Sequence, residues 1–366
     1  MKKVLRGYLV LILIVFMALE SKAQTDENHS LKYNKEFSGT GPKVYILPPP
    51  KTEKELLQDQ YTDKKTEQTD LLQLFQKLEL SSRLKKIDNG LIPHNLQDSS
   101  RMNREAQLVA IINYYKQRSL VDSVLAWQNH LGVFKVLNNE IDEARNLFKD
   151  VLYKYQLSEN SKNEEILLKN LAILEEQSGN YIASLTYYDK LIVLAKDKKN
   201  MKDEGLINLS IALIEAKLGN YSAAHNLVIK RSFPLLQKTK YYPDVVTALN
   251  TLASIKESEQ KFIEAKWIYL QAIDVATIHK DEKGLATSLY NLAKLKTHIG
   301  DDNLAIVDYK SAKDLASKNN MAGLLIEIED GLGDAYLSSG DYKGAILALN
   351  SYNILKTEFI NKQSIM

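Results

Sequence analysis

A pattern that recurs with a nearly constant period, about 40 residues long, constrains the fold of this chain more than any other feature. From Leu120 onward, a helical apolar stripe is followed by a polar turn and then usually by an aromatic residue. The residues that follow the six turns are Ile141, Tyr181, Tyr221, Phe262, Asp302 and Tyr342. Their spacing is constant except for one extra residue between Tyr221 and Phe262, and a register held this closely predicts a repeat architecture.

Each unit is predicted to be a pair of antiparallel helices joined by a tight turn. Glycine can take the positive φ that closes a helix, and four turns contain one: Gly179, Gly219, Gly300 and Gly340. Three residues after the residue that follows each turn, a small side chain would let the paired helices approach closely. These small residues are Ala144, Ser184, Ala224, Ala265, Ala305 and Ala345.

These features together resemble tetratricopeptide (TPR) repeats over residues 125–360. The shared elements are Leu-Gly or Leu-Ala in the first helix, then Gly-Asp/Asn-Tyr, then spaced Ala and Tyr or Phe. The period is longer than the roughly 34 residues usual in this family and is similar to a variant found in peptide-binding scaffolds and bacterial sensory proteins. The resemblance implies an all-α fold, a right-handed superhelical solenoid of antiparallel helical hairpins. HEAT and armadillo repeats share the period but not the Gly-Asp-Tyr turn.

The chain is predicted to have five segments. Residues 1–23 are a signal peptide, and residues 24–50 are a disordered or extended linker, with a docking motif as the alternative. Residues 51–119 are a helical N-terminal cap that includes a degenerate repeat. Residues 120–360 are six TPR-like repeats, and residues 361–366 are a tail.

The N-terminus predicts export. Lys2, Lys3 and Arg6 precede an apolar run over residues 8–19, and small residues follow it, so cleavage is expected before Gln24. An uncleaved membrane anchor is the alternative, but this run is shorter than the roughly 20 residues that a spanning helix needs. The expected location is the periplasm or the extracellular space.

Charge and cysteine content exclude several classes of function. Removing residues 1–23 would take away four basic residues and one acidic residue from the 48 and 46 of the full chain, leaving a net charge of −1. Because the mature chain would have no excess of basic residues, nucleic acid is not expected as a partner. The chain has no cysteine, so it can form neither a disulfide nor a thiolate metal site. No second apolar run approaches spanning length, so no membrane span is expected after cleavage.

The sequence shows no catalytic or metal-binding motif. The six histidines have no paired-ligand spacing, and there is no phosphate loop or nucleophile elbow. The carboxylate pairs Glu164–Glu165 and Glu175–Glu176 are interpreted as solvated surface. We therefore predict no enzyme activity, no metal and no cofactor.

The first helices of stacked hairpins line the concave side of such a solenoid, where an extended binding surface is expected. In relatives that grip peptides, asparagines on this stripe bond the ligand backbone, and Asn170 and Asn291 match them. The other units carry His130, Ser210, Thr251 and Gly331 at this register. Both asparagines could instead have packing roles. The predicted partner-binding residues are Lys169, Asn170, Asn250, Tyr290, Asn291, Lys294, Asp330 and Asp334.

The leading functional hypothesis is an exported scaffold that binds a protein or peptide, with units four to six as the main surface for a polar or basic peptide. The first alternative is a sensory or regulatory module that works with a separate membrane signalling protein. An enzyme would need a site that the sequence does not reveal.

The last helix is unusually apolar for the end of a solenoid. No later repeat covers it, so at least two of its large apolar side chains are expected to stay exposed. A C-terminal interface through Leu355 and Phe359, either with a partner or in a homodimer, is one interpretation. The alternative is that the apolar strip faces inward.

Overall fold

A computed structural model describes residues 50–52, 55–56, 58–59, 80, 83–87, 92, 103–158 and 161–365, without the side chains of residues 161 and 360–365. The predicted signal peptide, most of the predicted linker and part of the predicted N-terminal cap, including Leu71, Leu74, Phe75 and Leu78, lie outside these residues. The helices that the structure describes are α1 (Arg104–Gln117), α2 (Val121–Leu137), α3 (Ile141–Leu157), α4 (Ser161–Gln177), α5 (Tyr181–Asp197), α6 (Met201–Lys217), α7 (Tyr221–Asn226, π-helical Leu227–Ser232 and Phe233–Lys238), α8 (Tyr242–Ser258), α9 (Phe262–Ile278), α10 (Glu282–His298), α11 (Asp302–Lys318), α12 (Ala322–Ser339) and α13 (Tyr342–Ile365).

The predicted all-α solenoid is confirmed. Consecutive helices pack against each other from α1 to α13, and among the described residues there is no β-strand. The hairpins α2–α3, α4–α5, α6–α7, α8–α9, α10–α11 and α12–α13 are called units one to six. From unit three to unit six, the first helices of neighbouring units also pack together, as α6 does with α8 and α10 does with α12. The side of the array that carries the first helices of all six units is called the first-helix face.

The length of the period has a simple structural origin. Helices α2 to α6 and α8 to α11 each contain 17 residues, and three residues connect each of them to the next helix. Each fully described three-residue connector contains one residue with positive φ, but only some of these are glycine. Gly179, Gly219 and Gly300 share this conformation with Ser119, Asn139, Lys199, Lys240, Gln260, Lys280 and Asn320.

A π-helical segment absorbs the extra residue of the one longer interval. In other second helices the buried positions are spaced four, three and four residues apart, as in Ala265, Tyr269, Ala272 and Ala276. In α7 the buried positions 224, 228, 232 and 236 are all four apart. The extra residue therefore lies between positions 228 and 232, where the wider π turn keeps both ends of the helix in register with the core.

The small residues do lie at close helix contacts, as predicted. All six of them, from Ala144 to Ala345, are fully buried. In unit one, a Cβ atom added to Gly132 would lie 2.5 Å from Cε1 of Phe148. Because the Phe148 ring is itself fully buried, a larger side chain at position 132 would force the helices apart.

Candidate functional site

A short stretch of the chain itself lies on the first-helix face of units one and two. This stretch, residues 83–87, is called the strap. The side chain of Asn170 pairs with both backbone groups of Lys85: its Oδ1 accepts from the Lys85 N–H at 2.8 Å, and its Nδ2 donates to the Lys85 carbonyl at 2.9 Å. One asparagine therefore forms hydrogen bonds with both backbone polar groups of a strap residue.

The neighbouring unit holds the strap two residues further on. Oδ1 of Asn129 accepts from the N–H of Ile87 at 3.0 Å. The Nε2–H of His130 donates to the carbonyl oxygen of Ile87 at 2.9 Å, which assigns the proton to Nε2. Asn129 and Asn170 are together called the clamp, and both are fully buried. Their hydrogen bonds to the strap go to backbone groups and not to its side chains.

Apolar side chains on both sides of Lys85 anchor the strap. Leu84 is 5% exposed and Ile87 is 2% exposed, and both belong to the hydrophobic cluster of units one and two. That cluster also contains Val133 and Ile173 from the first-helix face. Lys85, between the two anchors, is exposed. The strap is thus held by its backbone and by an apolar-x-x-apolar pattern.

The first-helix face of units four and five forms a groove of about 1070 Å³. Residues of α8 and α10 supply most of its lining, and three of the predicted binding residues, Asn250, Asn291 and Lys294, are among them. Asn250 and Asn291 are half-buried, and Lys294 is exposed. Predicted residues from two units are therefore brought together in one open groove.

The two asparagines of this groove occupy the same positions in their helices as the clamp. Asn250 lies three whole units after Asn129, and Asn291 lies three whole units after Asn170, with the same offset in sequence. Nδ2 of Asn250 donates to Oγ of Ser288 at 2.8 Å. Its Oδ1 is buried and has no hydrogen-bond partner among the described residues. That oxygen corresponds to the one with which Asn129 accepts from the strap.

Polar side chains replace the apolar floor found in units one and two. Ser254 and Lys294 stand where Val133 and Ile173 stand under the strap. At the edge of the groove the Tyr269 hydroxyl donates to Oε2 of Glu257 at 3.1 Å. Burial and this carboxylate raise the pKa of Tyr269, so its phenol stays protonated.

The remaining predicted binding residues lie elsewhere. Lys169 lines a smaller pocket of about 120 Å³ beside Lys85 of the strap. Tyr290 packs against Tyr309, with ring centroids 6.1 Å apart, and burial followed by the charge of Glu327 raises its pKa. Tyr290, Asp330 and Asp334 do not line the groove of units four and five.

The prediction that Glu175 and Glu176 are solvated is wrong. Glu175 is 2% exposed, accepts from Nε of Arg145 at 2.7 Å and accepts from Asn180 at 2.7 Å. Glu176 is 8% exposed and accepts from Nζ of Lys217 at 2.9 Å. Arg145 and Lys217 come from the adjacent units, and such pairing compensates the loss of hydration.

Leu355 and Phe359, the predicted C-terminal interface, are half-buried and pack against the cluster of Leu349 and Tyr352 in the same chain. Among the described side chains of α13, the large apolar ones that are exposed are instead Leu347 and Ile354, at 68% and 60%. The expectation that at least two apolar side chains stay uncovered is therefore confirmed, although for different residues than those assigned to an interface.

Two negative findings concern the described residues alone. Within them, no group of three or more His, Asp or Glu side chains is arranged to hold a metal ion. None of the helices from α1 to α13 is long and apolar enough to cross a membrane.

The sequence matches no protein-family model and no curated protein. Its fold is similar to several solved structures at low identity. BtubC (BKLC) from P. vanneervenii is 17% identical with a TM-score of 0.44, over 60% of this chain and 90% of that one. A Rap protein complexed with competence and sporulation factor is 12% identical with a TM-score of 0.47, over 83% and 99%. The apo form of RapI is 14% identical with a TM-score of 0.47, over 74% and 96%.

Proposed function

We propose that this protein is an exported, TPR-type scaffold that holds an extended segment of a partner protein in the groove of units four and five. One observation carries the proposal. In units one and two, Asn170 binds both the N–H and the carbonyl of a single residue, Lys85, and Asn291 presents the same side chain at the same helix position in the open groove.

The chemistry of the groove suits binding more than reaction. Asn250, Asn291 and Lys294 offer hydrogen bonds and one positive charge to a bound backbone and its side chains. Each such hydrogen bond contributes about 1 kcal/mol net, so a clamp of this kind gives modest affinity that further contacts along the solenoid would increase. A partner held this way is recognised over several units.

Partner capture tests this function. The mature chain, residues 24–366, is cross-linked in its own cell envelope, and bound proteins are identified by mass spectrometry. The double variant Asn250→Ala, Asn291→Ala is expected to lose its main partner. The control is Asn303→Ala, because Asn303 is exposed on α11 and outside the groove lining. Equal recovery of the same partners by the double variant, with unchanged helical content, would contradict the proposal.

Export is tested separately. The mass of the protein recovered from cells is expected to correspond to a chain that starts at Gln24, because the basic and apolar segments before it have the order of a secretory signal. A recovered chain that retains residues 1–23 would contradict export by cleavage. It would leave the binding role of the groove unaffected.

A further inference from the structure

We propose that the segment bound by the groove runs antiparallel to the order of the units, with its N-terminal end toward unit five and its C-terminal end toward unit four. One of its residues, p, pairs with Asn291 through both backbone groups, and the N–H of residue p+2 pairs with Asn250. This inference rests on the proposed function and specifies the direction, register and side-chain chemistry of the ligand.

The strap provides the template for the direction. Its residue 85 lies against Asn170 in unit two, and its residue 87 lies against Asn129 in unit one. The chain therefore passes from the later unit to the earlier one as its numbering rises. At the other end of the strap, Arg83 comes within 3.8 Å of Glu176 near the C-terminal end of α4, which extends the same path.

The groove reproduces the two contacts that set this register. Asn250 and Asn291 have the same separation in sequence as Asn129 and Asn170, and each pair lies on the first helices of two adjacent units. Those four helices all contain 17 residues, so the residues of both pairs lie equally far along their helices. Oδ1 of Asn250 is buried and has no partner among the described residues, so the side chain must turn away from Ser288 before this oxygen accepts from the N–H of residue p+2.

One contact of the template is not reproduced. His130, which holds the carbonyl of Ile87, is replaced by Thr251, whose hydroxyl donates to the Thr247 carbonyl at 2.9 Å. The groove therefore offers residue p+2 one hydrogen bond where the strap has two.

The side chains of the ligand differ from those of the strap. Leu84 and Ile87 are buried in the same cluster as Val133 and Ile173, and apolar anchors of this kind have no apolar counterpart against Ser254 and Lys294. The ligand is accordingly an extended polar segment. An acidic residue is favoured opposite the exposed ammonium group of Lys294.

A synthetic probe based on the strap makes the test concrete. The peptide carries the sequence of residues 82–88 with Leu84→Glu, which supplies the acidic residue, and with Ile87→Thr; a cysteine is added at one end or the other. The protein has no cysteine of its own. Single exposed cysteines are introduced as His298→Cys, near the end of α10, and as Thr247→Cys, in the first half of α8. Disulfide formation is measured under reversible exchange.

We expect the peptide with an N-terminal cysteine to prefer His298→Cys, and the peptide with a C-terminal cysteine to prefer Thr247→Cys. N-methylation at residue p+2 is expected to lower cross-linking about fivefold, the effect of one lost hydrogen bond. N-methylation at p+1 is the matched control and should have no effect, because the template makes no clamp contact there.

The outcomes separate the inference from the proposed function. The reversed pairing of cysteines overturns the direction, and equal effects of the two N-methyl groups overturn the register. Cross-linking no better than that of a scrambled peptide overturns the inference as a whole. In each of these cases, loss of the cellular partner in the Asn250→Ala, Asn291→Ala variant would still support binding in the groove.

Discussion

Replacing Asn170 should destabilise the first two units far more than replacing Asn291, although both residues occupy the same helix position. Asn170→Ala leaves the N–H and the carbonyl of Lys85 without their partners. Because both hydrogen bonds are partly buried, the loss of each lowers the free energy of unfolding by about 1 kcal/mol or somewhat more. The better helix propensity of alanine offsets about 0.5 kcal/mol of this loss. The expected net loss is about 2 kcal/mol. Asn291→Ala, with no strap to hold, should gain up to about 0.5 kcal/mol.

A local probe is needed because repeat arrays can unfold in parts. The chain has two tryptophans. Trp127 in unit one is 5% exposed, whereas Trp267 in unit four is 64% exposed. In a Trp267→Phe background, urea unfolding followed by tryptophan fluorescence therefore reports on unit one. The reasoning is refuted if Asn170→Ala and Asn291→Ala shift this transition equally, or if Asn170→Ala leaves it unchanged.

Three further predictions concern the repeat framework. Gln260→Gly should stabilise the protein by about 0.5 kcal/mol in thermal unfolding, because relief of a φ of 62° outweighs the added chain entropy. Lys356 is fully buried; burial lowers its pKa, and Asp330 opposes this. The folded state then binds fewer protons than the unfolded state, so wild-type stability should rise as pH increases from the folded pKa toward the ordinary lysine value. Urea unfolding across that range should show a smaller rise for Lys356→Met. Deletion of Lys230, inside the π-helical segment, should make α7 a regular α-helix, and circular dichroism should show that the helical content is retained. Loss of the fold would contradict the placement of the extra residue in this segment.

The helical framework could be predicted because its determinants are local and repeated. The turn residues and the small residues at close contacts recur at a fixed interval, and the one longer interval coincides with the π-helical segment of α7. The site of the extra residue could not be assigned, since only the burial of Ser232 and Leu236 shows where the register changes.

The strap could not be predicted for a physical reason. The bonds from Asn129 and Asn170 go to backbone groups, which are the same in every residue and leave no trace in the sequence. The one available signal was the pair of Leu84 and Ile87 in an otherwise polar stretch. Such a pair indicates burial but does not identify the surface that buries it.

The carboxylates illustrate a second limit of sequence reasoning. Two adjacent glutamates near the end of a helix, such as Glu175 and Glu176, are usually exposed to solvent. Here Arg145 and Lys217 from neighbouring units form ion pairs with them. Pairs whose members are so far apart in sequence are invisible to an analysis of one helix at a time. The repeat itself brings them together, since each unit places its charges beside the next.

The strap also makes the two ends of the solenoid mechanically unequal. Units one and two are cross-braced by a segment that bonds to both, so their relative rotation is fixed before any partner arrives. Units four and five have matching attachment points, and no described segment braces them. The first helices of units four and five already pack directly on each other, so a segment bound across them would add a second, removable connection between these units.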